Sequence, residues 1–524
     1  MAKFNVLTAT VSDLEKSFKE GLLTSEFVVT EYLKQIEVCN GYLHAVIETA
    51  PRELVLEKAR LLDNERSRAR AQGQVLGPLH GIPLLLKDNI ATHPELGMDT
   101  TAGTYALKGA KVRDSAPCVK QLEKAGAIIL AKANLGEMSN FRGLHMPAGW
   151  SAVGGLTQSP YVIGGKKWDD GFCGHSSTAG SSSGSCSGVA AGFAPAALGT
   201  DTNGSILVPA TRHDVYAMKP TFGLVSNDGI VPISLDFDSA GPIARCARDI
   251  ALLMDAMIDR QKASEIQGGT YTSYLTKSFE GIRVGVLQPK DWHMEPHVLT
   301  PNAEADTQQD EEIAQAYEKL RSLGVGVKEI SIASLDGLIV DNMSQIQRVM
   351  DSQFRRTIGS YLQSLESSKV RSLAELMQFM RDNSKLELPD ESPNMTRLEG
   401  AAGFQLSEED YQKALADMRD FGRRRGVDKS LGENEVDIIL GPADSRIHEY
   451  YSTSGYPMIH LPLSYMNFNG RPFGLCAIAK ANQEGLLIKF MSAWEANFNT
   501  ERQLPTWLNG DPSKWSGEAS KDDL

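Results

Sequence analysis

The chain has 524 residues, 41% of them hydrophobic and 23% charged, the balance of a globular protein rather than a disordered or fibrous one. A net charge of −13 argues against a broad nucleic-acid footprint, which needs clustered Lys and Arg. The six cysteines are scattered with no C-x-x-C pair, which points to free thiols in a reducing, cytoplasmic setting rather than to a disulfide framework.

The N-terminal stretch MAKFNVLTATVSDLEKSF lacks a basic segment followed by an apolar run, so no secretory signal is expected. No 18-residue apolar run is present, so no membrane span is expected. The last four residues, Lys521 to Leu524, faintly echo an ER-retention tail, which means little without an entry signal.

Helices are predicted over residues 1–74. Ser12 with Glu15 reads as a capping box ahead of Leu14 and Phe18, and Thr24 or Ser25 as the cap of an apolar-periodic stretch from Phe27 to Val38. From about residue 75, short apolar runs alternate with Gly-rich turns and helical patterns. Ile82–Leu86, Ala127–Leu130 and Ile282–Leu287 read as buried strands, which predicts an α/β layer architecture. The stretch 335–430 is helix-rich and charged. Strands return at Val436–Leu440, Met458–Leu463 and Phe473–Ala479, the last two separated by an Asn469-Gly470 hairpin signal. That hairpin predicts one antiparallel pair, and hence a mixed sheet shared by both strand-forming halves.

Chemistry concentrates in two places. Residues 174–205 read GHSSTAGSSSGSCSGVAAGFAPAALGTDTNGS, a Gly/Ser-crowded loop followed by a helix-like stretch from Val189 to Leu198 and a second Gly-bearing turn. A flexible linker or a phosphate-cradling loop are competing readings, but G-x-x-x-x-G-K-[ST] is absent and linkers are not usually embedded between apolar elements. In the turn Thr202-Asn203-Gly204-Ser205, Gly204 permits a sharp bend, and successive N–H groups can form an anion-binding nest beside a serine. A serine needs a base. The ten histidines show no diagnostic placement and no G-x-S-x-G elbow exists; His80, His175 and His213 lie near the motifs and read as structural. Lys87 ends the apolar run Ile82–Leu86. A buried lysine loses its proton easily and can act as a base; an ion pair with Asp88 or another acid is the competing reading.

Three linked motifs in this order resemble the amidase signature family: GPLHGIPLLLKDNI at 77–90, the Gly/Ser loop with GTDTNGSILVPA, and KPTFGLVSNDGIVPISLDFDSAGPIAR at 219–245. AGAIILAKANLGEMSNF, TSGYPMIHLPLSY and GRPFGLCAIAK extend the similarity. The resemblance implies a large mixed central β-sheet covered by helices on both faces. Because both strand-forming halves are expected to share one sheet, one large domain with a helical insertion is favoured over two domains: a single amidase domain over 1–524, with N-terminal helices (1–74), a signature core (75–290), a helix-rich substrate-side insertion (291–435) and C-terminal strands with a helix that complete the sheet (436–524).

The resemblance also implies a Ser-cisSer-Lys triad of Lys87, Ser181 and Ser205, with a cis Gly180–Ser181 peptide bond and with oxyanion donors from Thr202, Asn203, Gly204 and Ser205. Ser139 matches a substrate-contacting position. Asp201 and Asp238 match family positions and read as loop-organising acids. No cofactor and no metal ion is expected. His293 and His297, the only close histidine pair, are interrupted by Pro296.

Asn203 stands where the family usually has glycine, and the interval from Lys87 to Ser181 is long. The extra residues fall at 141–179, whose Trp150, Tyr161, Trp168 and Phe172 either line a pocket or pack the insertion. Gly149-Trp150-Ser151 and the GSSSGS loop look most like peptide amidases. A lipid or small-molecule amidase is one alternative. The glutaminase subunit of a tRNA-dependent amidotransferase is another, but Ser205-Ile206-Leu207 lacks the Arg usual there. The expected partner is a small-molecule or peptide amide substrate, not nucleic acid or a membrane, with the protein a monomer or homodimer.

Overall fold

The computed structural model describes residues 4–498 except 168, 259–265 and 267, together with 502–505 and 508. Trp168 and the segment Lys521–Leu524 lie outside the described residues. Eleven strands make one sheet: β1 (Val46–Thr49), β2 (Pro83–Lys87), β3 (Ile128–Ala133), β4 (Ala196–Asp201), β5 (Tyr216–Lys219), β6 (Ser239–Ala244), β7 (Arg283–Val286), β8 (Gly326–Glu329), β9 (Ile438–Pro442), β10 (Met458–Tyr465) and β11 (Pro472–Ile478). Their order is β1-β3-β2-β4-β6-β5-β10-β11-β9-β7-β8. Strands from before residue 290 and after residue 435 therefore share one sheet.

The apolar runs behave as their composition dictates. Every residue of β2 and β3 is buried, because a parallel strand flanked by helices on both faces offers no side to water. Where the expectation departs is in strand direction. β4, β6, β5, β10, β11 and β9 run as a continuous antiparallel centre, not a single antiparallel pair. β2–β3, β2–β4, β9–β7 and β7–β8 are parallel. The antiparallel strands β5 (YAMK) and β6 (SAGPIA) are short and lack an apolar run of the usual length, so nothing local announced them.

The Gly/Ser segment also differs from expectation. The helix is Ser183–Ala190, built from the Ser- and Gly-rich stretch itself, and the Ala-rich stretch after it becomes β4. Small side chains make this possible. A Cβ on Gly184 would come within 2.3 Å of the Ala45 carbonyl, and one on Gly188 within 2.6 Å of Leu85 Cδ1. The serine hydroxyls are satisfied by backbone carbonyls, Ser185 on Leu198 and Ser187 on Gln158, each at 3.0 Å. A helix this thin sits hard against β2 and β4.

At the N-terminus Thr10, not Ser12, caps the first helix (Val11–Glu20), and its capping-box partner is Asp13. Thr24 caps Ser25–Leu43. Phe27 and Val38, the bounds of the apolar-periodic stretch, are exposed, whereas Val28, Val29, Tyr32 and Ile36 within it are buried. The helical segment between β8 and β9 packs over the loops at the carboxyl end of the sheet: Gln353 accepts from Ser234 Oγ at 2.6 Å, and Arg419 donates to the carbonyls of Ser452 and Thr453. Among the described residues no helix is long and apolar enough to cross a membrane.

Candidate active site

β2 ends at Lys87, β4 ends at Asp201, and the helix Ser183–Ala190 begins immediately after Ser182. These neighbouring ends bring the sequence-predicted residues together. Lys87 Nζ donates to Ser181 Oγ at 2.7 Å and to the Thr200 carbonyl at 3.0 Å. The Gly180–Ser181 peptide bond is cis. Ser182 N–H donates to the Ser205 carbonyl at 2.9 Å, which fastens the segment carrying Ser181 to the turn carrying Ser205. Lys87 and Ser181 are fully enclosed, and Ser205 is buried.

The ion pair of Lys87 with Asp88 is not formed. Asp88 instead accepts from Thr101 and from the N–H of Gly103. Burial pulls the Lys87 amine down to about 7, against the opposing pull of Asp201 and Asp238. With its amine held at about 7, Lys87 can gain or lose a proton near neutral pH, and Ser181 Oγ is within reach of that exchange.

Asp201 shapes the following turn. Its Oδ1 accepts from Gly204 N–H at 2.9 Å and its Oδ2 from Ile206 N–H at 2.6 Å. Gly204 N–H also reaches the Tyr451 hydroxyl. The Gly204 donor is thus spent within the protein, which departs from its expected role in an oxyanion nest. The N–H groups of Thr202, Asn203 and Ser205 take no protein acceptor among the described residues. Gly204 itself is required by its φ of 98°, and by a Cβ position only 3.0 Å from Val208 Cγ2. Asp238 accepts the Thr202 hydroxyl at 2.6 Å and the N–H groups of Ile233 and Ser234, and burial raises its carboxyl to about 6. Both aspartates organise loops, as their sequence positions suggested.

Ser139 lies one side chain away. Asn89 Nδ2 donates to Ser139 Oγ at 3.3 Å and to Thr200 Oγ1 at 3.0 Å. Met138, Ser139 and Asn140 are all left-handed, at φ of 48°, 56° and 64°. Three such non-glycine residues in succession are uncommon and are typical of loops that a functional site over-determines.

The amidase family model matches residues 27–447. The chain belongs to the amidase family. It is an amide-hydrolysing enzyme, similar over nearly its whole length to a probable amidase of Arabidopsis thaliana, at 33% identity covering 94% of this chain and 90% of that one. The peptide amidase of Stenotrophomonas maltophilia superposes with a TM-score of 0.83 at 32% identity, covering 96% of this chain and 99% of its own. A glutamyl-tRNA(Gln) amidotransferase component of Staphylococcus aureus is 28% identical, over 92% of this chain and 97% of its own.

A buried charge cluster and the histidines near the motifs serve the frame of the amidase. Arg212 is buried and donates from Nη2 to both Asp444 oxygens, at 2.8 and 3.1 Å, while Nη1 holds the carbonyls of Gly174 and Ser177. Arg471 completes this cluster on Asp444 Oδ2 at 2.7 Å and on His175 Nδ1 at 3.2 Å. Burial tends to raise the Asp444 carboxyl, but the two guanidinium groups hold it well below the usual carboxylate range. His213 Nδ1 pairs with the Pro209 carbonyl, and His80 with Glu65.

The described aromatics of the 141–179 insertion are packed against other groups: Trp150 lies under the Arg142 guanidinium, Tyr161 against Tyr465, and Phe172 on the small cluster of Cys173, Ala179 and Val208. Sequence reasoning missed Asn89, Lys219, Tyr451 and Ser452. Lys219, pulled down to about 7 by burial, is the first residue of the KPTFG motif and was within reach. Tyr451 and Ser452 stand more than 240 positions from the turn they touch, with no motif to mark them.

Proposed function

We propose that this amidase hydrolyses neutral, peptide-like amides in the cytoplasm through an acyl-enzyme, with Ser205 as nucleophile, Ser181 as bridging hydroxyl and Lys87 as base. The observation that carries the reading is the enclosed contact between Lys87 Nζ and Ser181 Oγ, with the amine held at about 7 and, among the described residues, no carboxylate bonded to it. Free Lys87 takes the Ser181 proton as Ser181 takes that of Ser205, and Ser205 Oγ attacks the amide carbon. The N–H groups of Thr202, Asn203 and Ser205 stabilise the oxyanion, and Gly204 supplies the bend. The tetrahedral intermediate collapses as protonated Lys87 returns the proton through Ser181 to the leaving nitrogen. Water, activated by the same relay, then cleaves the ester.

The likeness to the Stenotrophomonas maltophilia enzyme supports a peptide-like substrate. The glutaminase reading is weaker: Leu207 and Val208 carry no charge, and Arg212 is committed to Asp444. The test is ammonia release from a capped, C-terminally amidated dipeptide. Wild type is expected to turn over and Ser205→Ala to lose activity by a factor on the order of 10⁶. Wild-type-like turnover in Ser205→Ala would overturn the assignment.

A further inference from the structure

The helix His448–Ser454 is contributed by the segment between β9 and β10, far in sequence from the signature motifs, yet it lies against the turn Asp201–Ser205. Two consecutive side chains of this helix reach the turn. Tyr451, fully buried, accepts from Gly204 N–H and donates its own proton to Asp201 Oδ1 at 2.6 Å. Ser452 donates to Asn203 Oδ1 at 2.7 Å. Lys219 stands over the Tyr451 ring, its Nζ 5.3 Å from the ring centroid and donating to the Tyr456 carbonyl at 3.2 Å.

These contacts give the side chain of Asn203 a structural role. Its side chain is a tether, and its backbone N–H remains without a protein acceptor among the described residues. They also account for the direction of the Gly204 peptide. A flexible Gly-bearing turn has several ways to orient its N–H groups. Drawing the Gly204 and Ile206 donors onto Asp201, with Tyr451 bridging the first of them, leaves those of Asn203 and Ser205 for a ligand. Burial, with Asp201 alongside, keeps the Tyr451 phenol well above its usual range, so the hydroxyl stays protonated and keeps both hydrogen bonds.

We infer that Tyr451, assisted by Ser452, is a positioning residue that pre-orients the oxyanion-binding turn of this amidase. The inference rests on the reading of Ser205 as nucleophile. Its consequence is specific. The turn binds charge that develops only as Ser205 attacks, so loosening it should lower kcat and leave substrate binding nearly intact.

The experiment measures kcat and KM for a capped peptide amide in Tyr451→Phe and Ser452→Ala, together with affinity for two inhibitors. One is a peptidyl trifluoromethyl ketone, which forms a tetrahedral adduct on serine. The other is the matching non-reactive ketone-free peptide. Tyr451→Phe retains the ring and is expected to lower kcat about 10- to 100-fold, the scale of a lost supporting hydrogen bond, with KM within about twofold. Affinity for the trifluoromethyl ketone should fall in parallel, and affinity for the plain peptide should not.

Unchanged kcat and ketone affinity in a folded Tyr451→Phe would overturn the inference, as would an equal loss for both inhibitors. Should Tyr451→Phe fail to fold, Ser452→Ala is read by the same ratio, and a wild-type ratio there overturns it. Ser205→Ala in the same panel separates the two claims. Turnover retained in Ser205→Ala removes the underlying assignment, whereas an inactive Ser205→Ala beside a wild-type-like Tyr451→Phe removes only the role of Tyr451.

Discussion

Lys87 and Ser181 are 94 positions apart, yet the lysine nitrogen stands 2.7 Å from the serine hydroxyl in a fully enclosed site, and its other bond is to the neutral carbonyl of Thr200 rather than to an acid. A lysine so placed is not a salt-bridge partner. Its environment suits proton transfer, because the ideal base titrates near the working pH.

If Lys87 and Ser181 act as one relay, their losses should not add. Lys87→Ala and Ser181→Ala are each expected to lower kcat by several orders of magnitude, and the double variant to be scarcely slower than the worse single one. A double-variant loss equal to the full sum of the single losses would show independent roles.

The pH dependence has a definite sign. The relay needs the free amine, and Lys87 is held at about 7. Activity should therefore rise with pH through about 7 and fall close to tenfold per unit below it. Lys219 is also held at about 7 and adjoins the same turn through Tyr451. The kcat/KM profile of Lys219→Met should keep the same limb if Lys87 is the group observed. Disappearance of the limb in that variant would assign it to Lys219.

Arg212 should govern stability rather than substrate choice. Its bidentate pair with Asp444 is buried, and removing one partner of such a pair commonly costs about 3–5 kcal/mol. Arg471 remains on Asp444, so Arg212→Met should lie at or below the lower end of that range in denaturant unfolding. Its preference for a peptide amide over glutamine should be unchanged. A selective loss of activity on acidic substrates would instead make Arg212 a substrate contact.

Substrate class follows from the same neighbourhood. Leu207 and Val208 are buried and uncharged, and Val208 joins Ala179 and Cys173 in an apolar cluster beside the turn. A capped peptide amide or aryl amide should show higher kcat/KM than glutamine or malonamate. The reverse order would contradict the peptide-like reading.

Much of the fold was legible because its strands obey simple rules. Leu84 to Leu86 and Ile128 to Leu130 are apolar without interruption, which parallel burial demands. The helix Ser183–Ala190 was not legible, because Gly and Ser are poor helix formers in isolation. Here contact decides: Gly184 and Gly188 admit Ala45 and Leu85 at distances no side chain would allow. In the site, motifs marked Lys87, Ser181 and the turn before Ser205. They could not show that Gly204 N–H faces inward, since that depends on Asp201 and on Tyr451 from the far end of the chain.

The most direct test of the central claim is the site of covalent modification. Wild-type enzyme is treated with a serine-directed sulfonyl fluoride and mapped by peptide mass spectrometry. The proposed relay predicts a single stoichiometric adduct on Ser205, with loss of activity in step, and no adduct at that position in Lys87→Ala over the same time. An inactivating adduct on any other residue, with Ser205 unmodified, would contradict it.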